Sequence, residues 1–451
     1  MIHNDFDTIV APATASGGAL SVIRISGECA IDVCDKIFRG RKPLAEAKGA
    51  TLHYGLIVDG EEVIDDVVVS IFRAPHSYTG ENSVEISAHG SHYITHRIIS
   101  LLRANGCRLA EAGEFTRRAF LAGKLDLSQA EAVADIISAD SRASHAVAST
   151  QMRGGYSEEL GVLRDKLLHI CSLLELELDF SEEDVEFADR SQLTSLLQEL
   201  LNKVSRLAKS FSLGNVLKHG VNVAIVGRPN VGKSTLLNRI IGEDRAMVSD
   251  IAGTTRDSIE ETINIDGVSY RFVDTAGLHT TVDRLEQMGI ERTHRALEKA
   301  HIILWVTDYE GGDLADELCG FSATEEQTII HVINKIDLWK GLADSGKDSA
   351  ICISAKHSIG MDRLFSALRS AVDATEAYRG DVIVSSQRHY DALLKAKESL
   401  NSALAALHNG FSTDLLSEDI RQVMYHLGTI TGEINSEDIL KSIFSRFCIG
   451  K

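Results

Sequence analysis

The residues with the most legible chemistry run from Gly227 to Ser234, Gly-Arg-Pro-Asn-Val-Gly-Lys-Ser, and fit G-x-x-x-x-G-K-[ST]. The segment follows the apolar run VNVAIV and precedes the helical text STLLNRII, the context a phosphate-binding loop requires. Glycines let the backbone curl so that successive N–H groups face phosphate oxygens, and the N-terminus of the following helix adds partial positive charge. Asn230, Val231, Gly232, Lys233, Ser234 and Thr235 are therefore expected to line a nucleotide's phosphates. Lys233 would reach the β and γ phosphates, and the Ser234 hydroxyl would ligate Mg2+.

Further candidates follow in a fixed order. Asp250-Ile251-Ala252-Gly253-Thr254-Thr255 offers a loop whose Thr255 hydroxyl would complete the Mg2+ shell. In Asp274-Thr275-Ala276-Gly277, after the strand text YRFV, Asp274 would hold the metal through water and the Gly277 N–H would sense the γ-phosphate. Asn334, Lys335 and Asp337 follow TIIHVI, and a carboxylate at Asp337 accepts two bonds from the N1–H and exocyclic amine of guanine. Adenine offers neither in that arrangement. Ser354, Ala355 and Lys356 end the next apolar run and would place a backbone N–H on the guanine oxygen. Five motifs in this order imply GTP hydrolysis and argue against an ATPase. Leu278 stands where Ras carries the glutamine that orients the attacking water, so another group must do that work. Glu286, in TVDRLEQMGIER, is the acidic candidate; an ordinary exposed helix carboxylate is its other reading.

These residues need rigid elements beneath them. The runs VNVAIVG, YRFVDTAG, HIILWVTD, TIIHVINK and AICISAK alternate with helical text, which predicts a Ras-like, doubly wound P-loop domain over residues 219–376. Before it, Ser21 to Ile25, Asp66 to Phe72 and Ser83 to Ala88 read as strands and Ile94 to Leu102 as a helix, predicting a small α/β domain over 1–121. Residues 122–218 read as helical, with Ser128 and Glu131 as a capping box. Leu160, Leu163, Leu167, Cys171, Leu174 and Leu178 form one core-facing stripe, and Leu193, Leu197, Leu200, Val204, Leu207 and Phe211 a second. Helical text returns at the end, so 377–451 is read as the second half of one discontinuous all-α domain into which the α/β G domain is inserted.

Composition narrows the setting. With 46 Lys and Arg against 65 Asp and Glu, the net charge of −19 opposes non-specific polyanion binding, so nucleic-acid contact requires a local basic patch. Arg117, Arg118, Lys395 and Arg446 are the candidates noted for it. Seven scattered cysteines without a C-x-x-C pair read as reduced thiols. No apolar run approaches the roughly 18 residues of a membrane span, and the acidic start does not read as a leader, so a cytoplasmic protein is expected.

RISG at Arg24 to Gly27, SYTGENSVEISAHG at 77–90, GEFTRRAFLAGKLDLSQAEAVADII at 113–137 and the terminal FCIGK closely resemble the MnmE (TrmE) family of tRNA modification GTPases, over essentially the whole chain. The resemblance implies an N-terminal folate-binding and dimerisation domain, a discontinuous helical domain and an inserted G domain. It implies a homodimer that works with MnmG, a partner carrying FAD, to install a carboxymethylaminomethyl-type group at C5 of wobble uridine 34 in certain tRNAs. The one-carbon unit would come from a tetrahydrofolate derivative, 5-formyl- or methylene-tetrahydrofolate.

Carried over by motif, the folate site would comprise Arg24, Glu85, Lys124 and Lys451. Without the resemblance, Arg24 and Glu85 read as a strand-surface ion pair. The family's G domains pair across the nucleotide and bind K+ in place of an arginine finger, which implies ligation by Asn230, Ser249, Ile251 and Thr254. Glu286 matches the family's catalytic glutamate, beside Lys233. Ser249 stands where a threonine is common, and the arginine frequent after the leucine at 278 is missing. Cys448 reads either as a nucleophile or proton donor or as a small packed residue, and His89 and His92 either as folate neighbours or as structural histidines. Two other functions fit parts of the pattern: a ribosome-assembly switch without chemistry of its own, and a folate-dependent methyltransferase that needs no partner.

Overall fold

In this computed structural model, residues 7–15, 17–179, 190–245, 260–274, 295–308, 322–324, 327–338, 350–373, 382–409, 413–445 and 447–450 are described. The chain divides into two compact units: 1–137, 151–197 and 398–451 form one, and 138–150 with 198–397 the other. In chain order the elements are β1 (Ile9–Pro12), β2 (Leu20–Ser26), α1 (Ala30–Ile37), β3 (Phe38–Gly40), β4 (Thr51–Asp59), β5 (Glu62–Phe72), β6 (Ser83–His89), α2 (His92–Ala104), β7 (Arg108–Leu109) and α3 (Glu114–Leu121). Five helices follow: α4 (Leu127–Ser138), α5 (Arg142–Met152), α6 (Gly155–Asp179), α7 (Arg190–Lys209) and α8 (Phe211–His219). Then come β8 (Val221–Val226), α9 (Lys233–Arg245), β9 (Glu260–Ile265), β10 (Val268–Asp274), β11 (Ile302–Thr307), β12 (Thr328–Ile333), β13 (Ile351–Cys352) and α10 (Met361–Asp373), before α11 (Gln387–His408), α12 (Thr413–Thr431) and α13 (Glu437–Phe444).

In the first unit, seven strands form one sheet in the order β3-β4-β5-β6-β2-β1-β7, antiparallel except for β1 against β7. Alternation does the work in β5: Val67, Val69 and Ile71 point into the core and Asp66 and Val68 away from it. Ala30, Cys34 and Ile37 of α1 and Ile98 and Leu102 of α2 close over that face. Helix α4 is capped otherwise than the sequence suggests. Asp126 Oδ1 accepts from the Gln129 N–H (2.8 Å) and Gln129 Oε1 from the Asp126 N–H (3.0 Å), a reciprocal box two residues earlier than Ser128 and Glu131. Ser128 is instead buried in the first turn. The α6 stripe from Leu160 to Leu174 is buried against α12, whose Leu416, Ile420, Val423 and Leu427 recur at the same spacing; the Leu178 side chain lies outside the described residues.

The second unit holds a six-stranded sheet in the order β13-β12-β11-β8-β10-β9, parallel except for the antiparallel edge strand β9, with helices covering it as in a doubly wound fold. The central strand β8 is apolar except for the half-buried Asn222, because it is covered on both faces. Val221, Val223 and Ile225 join Leu236 and Ile240 of α9 and Leu364 and Leu368 of α10, whereas Ala224 and Val226 join Leu297 and Ile303. The stripe read as continuous through Phe211 is broken at Ser210. Its hydroxyl donates to Leu207 O (2.7 Å) and accepts from Val384 N–H (3.0 Å), ending α7 before Phe211 begins α8 and stacks on Tyr390. A two-residue Asp266-Gly267 turn, both at positive φ, joins β9 to β10, and the Ala143 N–H of α5 donates to Gly267 O (2.9 Å). Among the described residues, no helix is long and apolar enough to cross a membrane.

Candidate nucleotide and folate sites

Strand β8 delivers the chain to Gly227, whose φ of +151° and closeness to β11 leave no room for a side chain: a Cβ there would stand 2.1 Å from Val306 O. Asn230 is left-handed (φ +66°), Val231 is buried in the sheet core, and Gly232 (φ +100°) turns into α9. Lys233 is 8% exposed, and its ammonium donates to Gly227 O (2.5 Å) and Arg228 O (2.9 Å), so the loop wraps its own lysine. Ser234 and Thr235 stand exposed on the first turn of α9, positions that suit hydroxyl ligation of a cation beside bound phosphates. Asp274 ends β10 opposite Ile225, two residues before Gly227, which puts its backbone at the mouth of the loop.

The base end is tied to this loop by one buried amide. Asn334, 3% exposed, donates from Nδ2 to Val231 O (2.9 Å) and accepts at Oδ1 from the Ala355 N–H (3.0 Å). A Cβ on Gly232 would lie 2.4 Å from that Nδ2, so the glycine serves this tie as well as the turn. Lys335 is held in the left-handed region (φ +63°) with its ammonium 3.3 Å from Asp308 Oδ2. Asp337 accepts the Ser354 hydroxyl at Oδ1 (2.6 Å), and His357 Nε2 is 3.7 Å from Oδ2. The Ser354 hydrogen bond, outweighing desolvation, holds the Asp337 carboxyl below the usual carboxylate range. It is thus an ionised acceptor at neutral pH, as reading guanine N1–H and the 2-amine requires.

The tripeptide's Ser354 N–H goes to Ile359 O (3.0 Å) and its Ala355 N–H to Asn334, which leaves Lys356 as the amide for a purine oxygen. Asp308, His357 and Arg239, all within this frame, were not legible as site residues: only three-dimensional proximity gives them a role. Ser249, Asp250, Ile251, Ala252, Gly253, Thr254, Thr255, Thr275, Ala276, Gly277, Leu278 and Glu286 lie outside the described residues, as does the Asp274 side chain.

In the first unit, Arg24 and Glu85 are register partners on β2 and β6, joined by Arg24 Nε and Nη2 to Glu85 Oε1 (2.9 Å each). The ion-pair reading of these two residues is therefore realised in the structure. The Arg24 guanidinium also sits 5.4 Å from the Tyr78 ring centroid and 5.7 Å from that of Phe115. A Cβ on Gly80 would lie 3.5 Å from Lys124 Cε, so the Lys124 stem runs along the same turn as Tyr78. The C-terminal segment arrives at this place too. Ile449 bridges to Ala112, and Gly450 (φ +99°) packs so closely on Pro12 that a Cβ would stand 2.1 Å from Pro12 O, one residue from Ala11, the β1 partner of Arg24. Arg24, Glu85, the Lys124 stem and Gly450 thus gather about β1, β2 and the Tyr78 turn, with cationic groups suited to a ligand's carboxylates. Cys448, two residues before Gly450, is exposed, and Lys451 lies outside the described residues.

Arg118 is corrected as a nucleic-acid contact. It is 3% exposed and donates to Asp7 O (2.7 Å), Glu81 Oε1 (3.0 Å) and Glu114 Oε1 (3.0 Å). Arg446 lies outside the described residues, Arg117 is half-buried and Lys395 is exposed. His89 is exposed and hydrogen-bonded: Nδ1 lies 2.7 Å from Oδ1 of the buried Asp65, and this hydrogen bond raises the His89 pKa.

Comparison with known proteins adds the lineage. The family description "MnmE helical domain" matches residues 127–448, and "GTP-binding protein TrmE N-terminus" matches 8–124. The protein described as tRNA modification GTPase MnmE in Bacteroides fragilis is 49% identical over 464 aligned residues, covering 99% of each chain. Those of Bacteroides thetaiotaomicron and Flavobacterium johnsoniae are 49% and 47% identical, again covering 99% of both chains. Among solved structures, a variant of Aquifex aeolicus Era bound to GDP.AlF4- is 27% identical over 39% of this chain and 65% of that one, at a TM-score of 0.26, too low to bear on the fold.

Proposed function

The chain belongs to the MnmE family of tRNA modification GTPases, and from that premise we propose that its GTP hydrolysis is K+-dependent, proceeds through paired G domains, and drives carboxymethylaminomethyl-type modification of wobble uridine 34 with MnmG. It is a GTP-hydrolysing enzyme of tRNA modification. The observation that carries the nucleotide half is the continuous tie from the phosphate loop through Asn334 to Ala355, beside an Asp337 carboxylate held by the Ser354 hydroxyl. The gathering of Arg24, Glu85, the Lys124 stem and Gly450 supports the folate half. We keep four segments: a folate-binding dimerisation domain (1–121), a helical domain in two parts (122–218, 377–451) and a G domain (219–376), in a cytoplasmic homodimer.

When bound, Mg2+ and K+ offset charge developing on the β and γ phosphates, and a tetrahydrofolate derivative supplies the one-carbon unit. For this chain's own residues the roles are positional. Lys233 and the loop amides hold the phosphates, while Ser234 and Thr255 offer hydroxyls to Mg2+. Asn230, Ser249, Ile251 and Thr254 offer oxygens to K+, and Asp337 with the Lys356 amide reads the base. Glu286 orients the attacking water, since Leu278 has no group for it. Arg24 and Lys124, with Lys451, take the folate's carboxylates, and Glu85 contacts the pterin.

Phosphate release by the purified protein in matched KCl and NaCl, at several protein concentrations, tests the reading. Turnover should rise with K+ and with concentration; equal slow rates in both salts would sink it in favour of a ribosome-linked switch. Glu286→Ala should lower the rate by roughly two orders of magnitude or more, the usual weight of a proton-handling group. GTP affinity should stay within a few-fold, and unchanged turnover would exclude Glu286 as the water-orienting residue.

A further inference from the structure

Arg239 lies on α9, less than two turns beyond Lys233, and reaches away from the phosphate loop to the opposite end of the site. Its Nε donates to Ala355 O (3.2 Å) and its Nη2 to Lys356 O (3.1 Å). One planar guanidinium therefore grips two successive carbonyls of the tripeptide that follows β13, a geometry a lysine's point-like ammonium does not reproduce. Ala355 is held from both sides, its N–H by Asn334 Oδ1 (3.0 Å) and its carbonyl by Arg239.

The consequence follows from peptide planarity. The Ala355 carbonyl and the Lys356 N–H belong to one trans peptide unit and point in opposite directions. Fixing the carbonyl on α9 fixes the Lys356 N–H on the side away from α9. Of the three amides in the tripeptide, those of Ser354 and Ala355 are already engaged by Ile359 O and Asn334. The Lys356 N–H is thus the donor whose direction Arg239 sets.

We propose that Arg239 is a positioning residue for base recognition: by holding the Ala355–Lys356 peptide plane it aims the Lys356 N–H at the C6 oxygen of guanine. Asp337 reads the N1 and C2 edge, and Arg239 governs the C6 edge, where adenine carries a donor in place of an acceptor. Because Arg239 rides on the helix that starts at the phosphate loop, base and phosphate ends of the site are set by one rigid element.

The test uses the full-length protein and three probes: GDP, inosine diphosphate, which keeps the C6 oxygen but lacks the 2-amine, and pyrophosphate, which touches only the phosphate loop. In Arg239→Met, which keeps the apolar stem and loses every donor, GDP and inosine diphosphate should each bind roughly ten-fold more weakly, the order of one or two charge-assisted hydrogen bonds lost at a half-exposed site. Pyrophosphate competition should be unchanged. Arg239→Lys should recover part of the loss. If pyrophosphate weakens in step with GDP, Arg239 merely supports the phosphate-loop helix and the proposal fails. It also fails if GDP affinity is unchanged, or if GDP weakens while inosine diphosphate does not, which would place the effect at the 2-amine.

Discussion

Asp337→Asn is expected to lower GDP affinity by two to four orders of magnitude and to move the preference of the protein to xanthosine diphosphate. Two charge-assisted hydrogen bonds to guanine are at stake, each worth about 1.5–3 kcal/mol, and every 1.4 kcal/mol is a factor of ten in affinity. The structure also says how the substituted amide would stand. Ser354 Oγ, now 2.6 Å from Asp337 Oδ1, is a donor and continues to favour an oxygen at that position. The amide nitrogen is thereby turned to where Oδ2 now lies, 3.7 Å from His357 Nε2. A donor there opposes the 2-amine of guanine and complements the 2-oxo group of xanthine. Competition titrations with the two diphosphates measure the switch directly. Loss of both affinities together would mean that the asparagine collapses the loop, and retention of GDP binding would remove Asp337 from base recognition altogether.

The sequence exposes this part of the molecule because phosphate and guanine recognition rest on local backbone geometry. A left-handed glycine, a lysine one residue later and a carboxylate three residues after an asparagine are all visible as text. The tie that makes them one site is not. Asn334 contacts Val231 across 103 positions and Arg239 contacts Lys356 across 117, separations at which no spacing rule operates. Helix stripes were legible for the same local reason: Leu160, Leu163, Leu167, Cys171 and Leu174 are all nearly fully buried. Helix ends were less so. Ser128 and Glu131 have the right types for a cap, yet Asp126 and Gln129 form the reciprocal box two residues earlier, and either pair fits the text. The break at Ser210 depends on Val384, far along the chain, and was hidden.

The folate-type region shows the opposite limit. Arg24 and Glu85 stand out only through the family resemblance, because a cross-strand Arg and Glu pair is common on any antiparallel sheet. What holds them in place is a buried ionic network that neither composition nor periodicity announces. Glu114 begins α3, is fully buried, and accepts Arg108 at both oxygens (2.6 and 2.8 Å), Arg118 (3.0 Å) and the Glu111 N–H (2.9 Å). Arg118 carries the network on to Glu81, which accepts the Ser26 hydroxyl at the end of β2, two residues from Arg24. Phe115, beside Glu114, supplies one of the rings under the Arg24 guanidinium.

Removing Glu114 should therefore unsettle the whole first unit. Glu114→Ala leaves Arg108 and Arg118 facing each other without their shared anion, the situation in which a broken buried pair costs about 3–5 kcal/mol. Denaturant unfolding followed by a signal from this unit should show a midpoint shift of that size, whereas nucleotide binding to the other unit should persist. The pH dependence gives an independent reading with a definite sign. Burial alone would raise the Glu114 pKa, but the hydrogen bonds from Arg108, the Glu111 N–H and Arg118 prevail and hold it at about 2, against an ordinary value of 4.5. A carboxyl whose folded pKa is depressed contributes stability above its unfolded pKa and loses it as the pH falls toward the folded one. Glu114 should thus contribute roughly 3 kcal/mol at neutral pH, declining progressively below about pH 4.5. Glu114→Gln cannot titrate, so the stability gap between wild type and this variant should narrow by about 2 kcal/mol between pH 5 and pH 3, the rest being lost only as the pH falls through about 2. A gap that stays constant with pH would show that Glu114 acts through packing and neutral hydrogen bonds rather than as the anion at the centre of the network.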